Sequence, residues 1–142
     1  MRERSLMEKL ALNKMECAAF LADLTPLEAL ILDNHWPSWA RPKQLPPPGE
    51  WDWWLLLAGR GFGKTRTGAE FVRAEVAARR AGRVALVGPT AADVRDTMVE
   101  GESGLLAIYS QSERPEYEPS KRRVTWRNGA VGTCYSADEP DR

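Results

Sequence analysis

A glycine-rich segment, residues 58–65, is the feature that most limits what this chain can fold into. It reads AGRGFGKT and follows the apolar run WWLLL at residues 53–57. A helix-forming segment with one apolar face follows, from Lys64 to about Ala81. An apolar strand, a glycine loop and a helix in this order predict an α/β fold with parallel strands and crossover helices.

The composition of the loop indicates that it binds the phosphates of a nucleotide. Gly59, Gly61 and Gly63 permit positive φ and remove side chains, so successive amides can surround phosphate oxygens. The amino end of the following helix adds its positive dipole. Lys64 is expected to reach the β- and γ-phosphates, and the Thr65 hydroxyl is expected to bind Mg²⁺.

The first position of the loop departs from the usual pattern, which has glycine where this chain has Ala58. An ordinary glycine-rich turn is the alternative interpretation. The flanking strand and helix favour the phosphate site, whose predicted residues are Ala58, Gly59, Arg60, Gly61, Phe62, Gly63, Lys64, Thr65 and Arg66.

The composition is that of a soluble globular chain. It has 142 residues, 43% of them hydrophobic and 28% charged, and its formal net charge is zero. Overall charge therefore gives no argument for nucleic acid or a membrane as partner. No apolar run approaches the length of a membrane span, and the amino terminus does not have the pattern of a secretion signal. The two cysteines, Cys17 and Cys134, fit no metal-binding spacing.

The first part of the chain predicts two helices and a connector. One amphipathic helix is expected over residues 5–23, and a second from Pro26 to about Asp33, with a capping box between Thr25 and Glu28. Prolines make residues 35–49 an irregular, extended connector. We therefore divide the chain into a helical segment (1–35), a proline-rich connector (36–50) and a partial P-loop ATPase domain (51–142).

The remainder predicts alternating strands and helices that end in a hairpin. A buried parallel strand is expected at residues 83–89, a helix capped by Thr90 up to about Glu100, and a short helix at 105–109. An edge strand is expected near Tyr117. The dipeptide Asn128-Gly129 between two β-prone runs predicts an antiparallel hairpin of residues 124–127 and 130–135.

Aromatic residues cluster before the loop, since five of the six tryptophans lie between Trp36 and Trp54. Packing is the default interpretation of such rings. The alternative is that Trp51, Trp53 or Trp54 stacks on a nucleotide base. The single histidine, His35, is interpreted as a surface or packing residue and not as a base.

With these residues in place, the chain resembles the N-terminal ATPase region of large terminase subunits, the DNA-packaging motors of tailed bacteriophages. The similarity is to the branch that includes prophage and gene-transfer-agent terminases. The segments that carry it are WARP at 39–42, QLPPPG at 44–49, WLLLAGRGFGKTR at 54–66, ALVGPTAADVR at 85–95, EGESGLL at 100–106 and SADEPD at 136–141.

The resemblance implies a function and a set of partners. The intact protein would hydrolyse ATP, with Mg²⁺, to move double-stranded DNA into a procapsid through the portal protein. It would work as a homo-oligomer with the small terminase subunit, in the cytoplasm of the bacterial host and without a membrane.

The resemblance also implies roles for particular residues. Lys64 would be catalytic, and Arg60 would act in cis as an arginine finger on the γ-phosphate, where such a residue stabilises developing charge. Gln44 would contact the adenine, with an ordinary linker glutamine as the alternative. Thr90 and Arg95 lie in a segment that resembles a helicase-like motif, with a helix cap and an exposed charge as the alternatives.

The pair Asp138-Glu139 is assigned to the loop that precedes the family's acidic strand, and not to that strand. On this interpretation the chain is a truncated terminase without the acidic motif or the nuclease domain, and we expect marginal stability or self-association. Two rival functions remain: another nucleic-acid-dependent P-loop ATPase of the helicase-like kind, and a non-catalytic nucleotide-binding fragment.

Overall fold

The chain divides into two compact units, and the division falls between Leu56 and Leu57. The structure, a computed structural model, describes residue 10 and residues 13–138. Among these residues, no helix combines the length and apolar character needed to cross a membrane.

Helix α1 (Lys14–Ala22), in the first unit, begins at a side-chain cap. Asn13 has extended backbone (φ −136°, ψ 103°), and its Oδ1 accepts hydrogen bonds from the amides of Met15 and Glu16 at 3.1 and 3.3 Å. The prediction of one unbroken helix over residues 5–23 is therefore wrong, because the asparagine side chain takes up amides that a continuous helix would use. Residues 5–9, 11 and 12 lie outside the described residues.

The capping box of α2 (Pro26–Asn34) is confirmed. The Glu28 carboxylate accepts hydrogen bonds from the Thr25 hydroxyl at 2.6 Å and from the Thr25 amide at 2.9 Å. The Glu28 amide in turn donates to the Thr25 hydroxyl oxygen at 3.3 Å. The hydroxyl bond, followed by the amide bond, lowers the pKa of Glu28. These reciprocal bonds satisfy donors that the start of a helix leaves open.

The connector is more regular than the sequence predicts. A single turn of helix, α3 (Trp36–Trp39), is followed by a 3₁₀ turn (Pro42–Gln44). Both elements carry proline in their first turn, where the missing N–H is not needed, so the prolines start these turns instead of excluding them. The Trp39 indole donates to the Leu32 carbonyl at 2.7 Å.

The second unit consists of a four-stranded mixed sheet and two helices. In chain order its elements are α4 (Lys64–Ala77), β1 (Arg83–Gly88), α5 (Ala91–Asp93) continued by a π-helical turn (Val94–Val99), β2 (Glu116–Glu118), a 3₁₀ turn (Pro119–Lys121), β3 (Arg123–Thr125) and β4 (Val131–Ser136). The strand order is β1-β4-β3-β2, in which β1 and β4 are parallel and the other pairs antiparallel. The coarse α/β class is therefore confirmed.

The hairpin at Asn128-Gly129 and the edge strand near Tyr117 are confirmed. Thr125 of β3 lies opposite Val131 of β4, and Gly129 has φ +89°. The Gly129 amide donates to the Trp126 carbonyl at 2.9 Å. Glycine suits this position because side chains disfavour positive φ.

The predicted first strand, residues 53–57, is wrong. None of the sheet's four strands includes these residues, and the side chains of Trp53, Leu55 and Leu57 are 91%, 76% and 86% exposed. A strand forms only where a neighbour accepts and donates its backbone hydrogen bonds. An apolar run does not supply that neighbour, so the segment stays irregular.

Two further predictions need correction. Helix α4 ends at Ala77 and not near Ala81, because the amides of Arg80 and Ala81 both donate to the Glu75 carbonyl in a helix-ending turn. Residues 105–109 form turns and not a helix. The amides of Leu105 and Leu106 donate to carbonyls of the π-helical turn at 2.8 and 2.9 Å, and the Ala107 amide donates to the Gly104 carbonyl at 3.2 Å, which is a turn bond and not a helical one.

The core lies on one face of the sheet. Leu86, Val124 and Cys134 face inwards from the strands and belong to one buried cluster with Val76 of α4 and Val94 of the π-helical turn. The opposite face is open, and Val87 of β1 is 57% exposed. The prediction that β1 is a fully buried strand is therefore wrong, since its residues alternate between buried and exposed.

Gly88 marks the tightest contact between β1 and the π-helical turn. A Cβ at this position would lie 2.7 Å from Val94 Cγ2, which is fully buried, whereas a Cβ on exposed Gly82 would meet no atom within 4 Å. We expect Gly88→Ala to lower the free energy of unfolding by about 1–3 kcal/mol through overpacking. The matched control Gly82→Ala should change it by less than about 0.5 kcal/mol. Equal urea midpoints for the two variants would contradict this packing.

Candidate functional site

The glycine loop turns sharply before α4 begins. Gly61 and Gly63 have φ values of +80° and +87°, a region that residues with side chains rarely adopt. Gly59 does not have positive φ. A Cβ at Gly59 or Gly61 would meet no atom within 4 Å, so the loop is bordered by open space.

The loop and the first turn of α4 present free backbone donors. The Thr67 amide donates to the Gly63 carbonyl at 2.9 Å, which closes the first helical turn. Within the described part of the chain, the amides of Gly61, Gly63, Lys64 and Thr65 have no hydrogen-bond acceptor. The open amides at the start of a 14-residue helix are a favourable place for an anion.

The Lys64 ammonium is held against the start of the loop. Its Nζ donates to the Ala58 carbonyl at 2.8 Å and to the Gly59 carbonyl at 2.9 Å. These two bonds join the two ends of the loop. They also fix a positive charge beside the open amides, where it adds to the positive end of the helix dipole.

The other loop side chains differ in their surroundings. Phe62 is half-buried and Arg60 is exposed. Neither the Arg60 guanidinium nor the Thr65 hydroxyl has a partner among the residues that the structure describes. The Arg66 guanidinium is engaged, since it donates to the Glu70 carboxylate from Nε at 2.9 Å and from Nη2 at 2.8 Å. The Arg66 side chain therefore pairs within helix α4, with Glu70 as its partner.

A buried ion-pair network supports α4, and the sequence analysis missed it. The Glu70 side chain is only 3% exposed and lies 2.8 Å from Arg66 and 3.5 Å from Arg73. Arg73 also donates to the Ile108 carbonyl at 3.2 Å and lies 5.3 Å from the centre of the Tyr109 ring. The i,i+4 and i,i+3 spacings of the three charges were the available signal.

The network continues through Tyr109 to the hairpin. The Trp126 indole donates to the Tyr109 hydroxyl at 2.9 Å. Burial is the main cause that raises the pKa of Tyr109, so the phenol stays protonated. The helix that begins at the loop is thus tied by polar contacts to both the turn segment and the sheet.

Gln44 lies in the first unit and is engaged locally. It is 6% exposed, and its Oε1 accepts from the Arg41 amide at 2.9 Å and from Arg41 Nε at 3.2 Å. These bonds close the 3₁₀ turn around it. Contact of Gln44 with an adenine stays a prediction.

Thr90 and Arg95 have local partners in the second unit. The Thr90 hydroxyl accepts from the Asp93 amide at 3.0 Å, as a helix cap does. Arg95 donates to the Asp96 carboxylate at 2.6 and 3.1 Å, and the first of these bonds is the main cause that lowers the pKa of Asp96. Both side chains therefore have the local roles that were the alternatives to a helicase-like motif.

Asp138 follows β4 in a bend, outside the sheet. Its amide donates to the Pro89 carbonyl at 3.2 Å, just beyond the last β1–β4 pair. Its partner in the predicted pair, Glu139, lies outside the described residues.

The tryptophans before the loop are in contrasting environments. The Trp51 indole donates to the Pro47 carbonyl at 3.1 Å, and its ring centre lies 6.1 Å from that of Trp54. Trp53 is almost fully exposed. Stacking of Trp51, Trp53 or Trp54 on a base stays a prediction.

Comparison with known proteins identifies a family for the part of the chain that contains the loop. No curated protein and no solved structure shows significant similarity to the chain. Residues 55–142 match the model of one protein family, described as terminase large subunit, T4likevirus-type, N-terminal. The match covers more than half of the chain and begins just before the loop. The chain therefore belongs to the family of large terminase subunits, whose role is the packaging of bacteriophage DNA, and it carries the N-terminal domain of that family.

Proposed function

We propose that the chain binds ATP through residues 58–65 and that this binding serves the packaging of phage DNA. The observation that carries the proposal is the combination of open amides at the start of α4 with the Lys64 ammonium beside them. Terminase large subunits are generally ATPases, which makes a nucleoside triphosphate the fitting anion. In this proposal the amides of Gly61, Gly63 and Lys64 bind phosphate oxygens.

Mg²⁺ would bind together with the nucleotide, and the Thr65 hydroxyl is a suitable ligand for the ion. The Thr65 hydroxyl is near the first helical turn and has no partner in the described residues. A hydroxyl oxygen is the kind of hard ligand that Mg²⁺ accepts, with phosphate oxygens and water completing its shell. The ion would neutralise charge on the phosphates when it is bound.

Arg60 is proposed as a cis arginine finger. Its side chain is exposed and has no partner within the described residues, so it is free to approach the γ-phosphate. A guanidinium there stabilises charge that develops as the phosphoryl group is transferred. Lys64 would act on the same charge from the helix side of the loop.

The proposed working partners are those of a packaging motor. Double-stranded DNA would be contacted mainly at its phosphates and without sequence preference. The portal protein, the small terminase subunit and the procapsid would be the protein partners, with several copies of the large subunit acting together in the host cytoplasm. A helicase-like ATPase and a non-catalytic nucleotide-binding module are the rival functions.

Lys64→Ala tests the ammonium. We expect it to weaken ATP binding by at least about tenfold, because a charge-assisted contact to phosphate contributes about 1.5–3 kcal/mol. Titration calorimetry with Mg·ATP measures the change. The matched control is Lys121→Ala, which removes an exposed lysine paired with Glu118. Equal affinities for the two variants would refute phosphate binding by Lys64.

Thr65→Val tests the metal ligand, because it keeps the shape of the side chain and removes the hydroxyl. We expect Mg²⁺ to raise the ATP affinity of the unaltered chain and to have little effect on the variant. In the presence of EDTA the two proteins should bind ATP equally. A full Mg²⁺ effect in Thr65→Val would show that the hydroxyl is not a ligand.

Arg60→Ala separates binding from catalysis. We expect it to bind ATP like the unaltered chain. Where the unaltered chain releases phosphate in single-turnover assays, the variant should release it about 10³–10⁵ times more slowly. Binding without turnover in the unaltered chain would support the assignment of Asp138-Glu139 to the loop before the acidic strand, and an unchanged rate in Arg60→Ala would exclude the finger.

A further inference from the structure

A cavity of about 200 Å³ lies at the carboxyl end of β4, beside α5 and the π-helical turn. Its walls include Ser136 from the end of β4, Tyr117 from β2 and Arg122 from the residue before β3. None of its lining residues belongs to the glycine loop. The carboxyl ends of strands are where open α/β sheets bind ligands.

Two buried polar groups at this cavity lack hydrogen-bond partners. Ser136 is 2% exposed, and its hydroxyl has no partner within the described residues. The Arg122 Nη1 atom is likewise buried and unpaired. Buried donors without acceptors cost free energy, so a native structure that retains two of them in residues lining one cavity calls for an explanation, such as a ligand.

The backbone at Arg122 points to a constrained position. Its φ is +50°, in a region where residues other than glycine are uncommon. The Arg122 carbonyl accepts from the Cys134 amide at 2.8 Å, which fixes the residue against β4. The guanidinium is therefore presented from a rigid site and not from a mobile loop.

The charged side chains among the cavity's described lining residues are two arginines, Arg95 and Arg122. The carboxylates of Glu100 and Asp96 lie close enough to act on Tyr117, which also lines the cavity. Arg95 is paired with Asp96, but the Arg122 guanidinium has no acidic partner in the part of the chain that the structure describes. An arginine in a cavity of this kind favours an oxyanion, whose oxygens accept from the guanidinium fork.

We propose that this cavity binds a phosphoryl group, with the Arg122 guanidinium and the Ser136 hydroxyl as donors. The volume is below the range of about 300–1,000 Å³ that is common for whole organic ligands, so it suits a compact group. Arg122, Ser136 and Tyr117, whose side chains carry donors, are among its lining residues, and this number suits a phosphate better than a carboxylate. Inorganic phosphate and the phosphodiester of DNA share this chemistry.

The first test measures binding of inorganic phosphate to the full chain by amide NMR. It uses the Lys64→Ala background, so that phosphate binding at the glycine loop is weakened and the two sites are separated by which amides shift. We expect phosphate to shift the amides near Arg122 and Ser136. Arg122→Gln should weaken binding by about tenfold or more, whereas the control Arg123→Gln, on the neighbouring exposed arginine, should not.

Ser136→Ala keeps the proposal testable if Arg122→Gln does not fold. We expect it to weaken phosphate binding without lowering the melting temperature, because it removes a hydroxyl that the protein itself leaves unpaired. A merely structural serine would show the reverse pattern, with lower stability and unchanged binding.

Titration with a short DNA duplex in the same background separates the sources of the phosphoryl group. If the cavity binds the DNA backbone, Arg122→Gln lowers duplex affinity and reduces its salt-dependence slope by about one. If it binds free phosphate, duplex affinity stays unchanged while phosphate binding is lost. If Arg122→Gln and Ser136→Ala bind both inorganic phosphate and the duplex with the same affinity as the control Arg123→Gln, the proposal is overturned.

Discussion

The parallel pairing of β1 with β4 is the constraint on which the second unit depends. It joins residues Arg83–Gly88 to Val131–Ser136, which are far apart in sequence, and so attaches the C-terminal hairpin to the α4–β1 unit. Asn128 of the hairpin donates to the Val76 carbonyl near the end of α4 at 2.8 Å. This bond places the end of α4 beside the hairpin.

This arrangement explains how a small unit can position a charged loop. Gly61 and Gly63 turn the chain sharply, and Lys64 ties the start of the loop to the start of the helix. The buried Glu70 pairs with Arg66 and Arg73 of the same helix, and Arg73 connects the helix to Ile108 in the turn segment. In our proposal this rigid support allows the open amides to bind phosphate without further ordering, which lowers the entropic cost of binding.

Local chemistry made part of this structure predictable. The capping box at Thr25 and the hairpin at Asn128-Gly129 depend on bonds within a few residues, and both were predicted correctly. The prediction of a strand at residues 53–57 was wrong because a strand needs a neighbouring strand to share its backbone hydrogen bonds, and composition does not reveal whether one is present. The helix predicted at residues 105–109 was wrong, since this segment forms turns whose Leu105 and Leu106 amides bind the π-helical turn, a contact that the local sequence does not reveal. The buried donors at the cavity beside α5, including Ser136, could not be predicted, since their burial depends on packing between β4 and α5.

The central claim is that the open amides between the loop and α4 bind the phosphates of a nucleotide. Amide NMR of the full chain during titration with Mg·ATP tests this directly. The account predicts large, saturable shifts at Gly61, Gly63, Lys64 and Thr65, with a smaller response from adenosine, which lacks phosphates. Shifts confined to other residues, or equal shifts with adenosine, would contradict it.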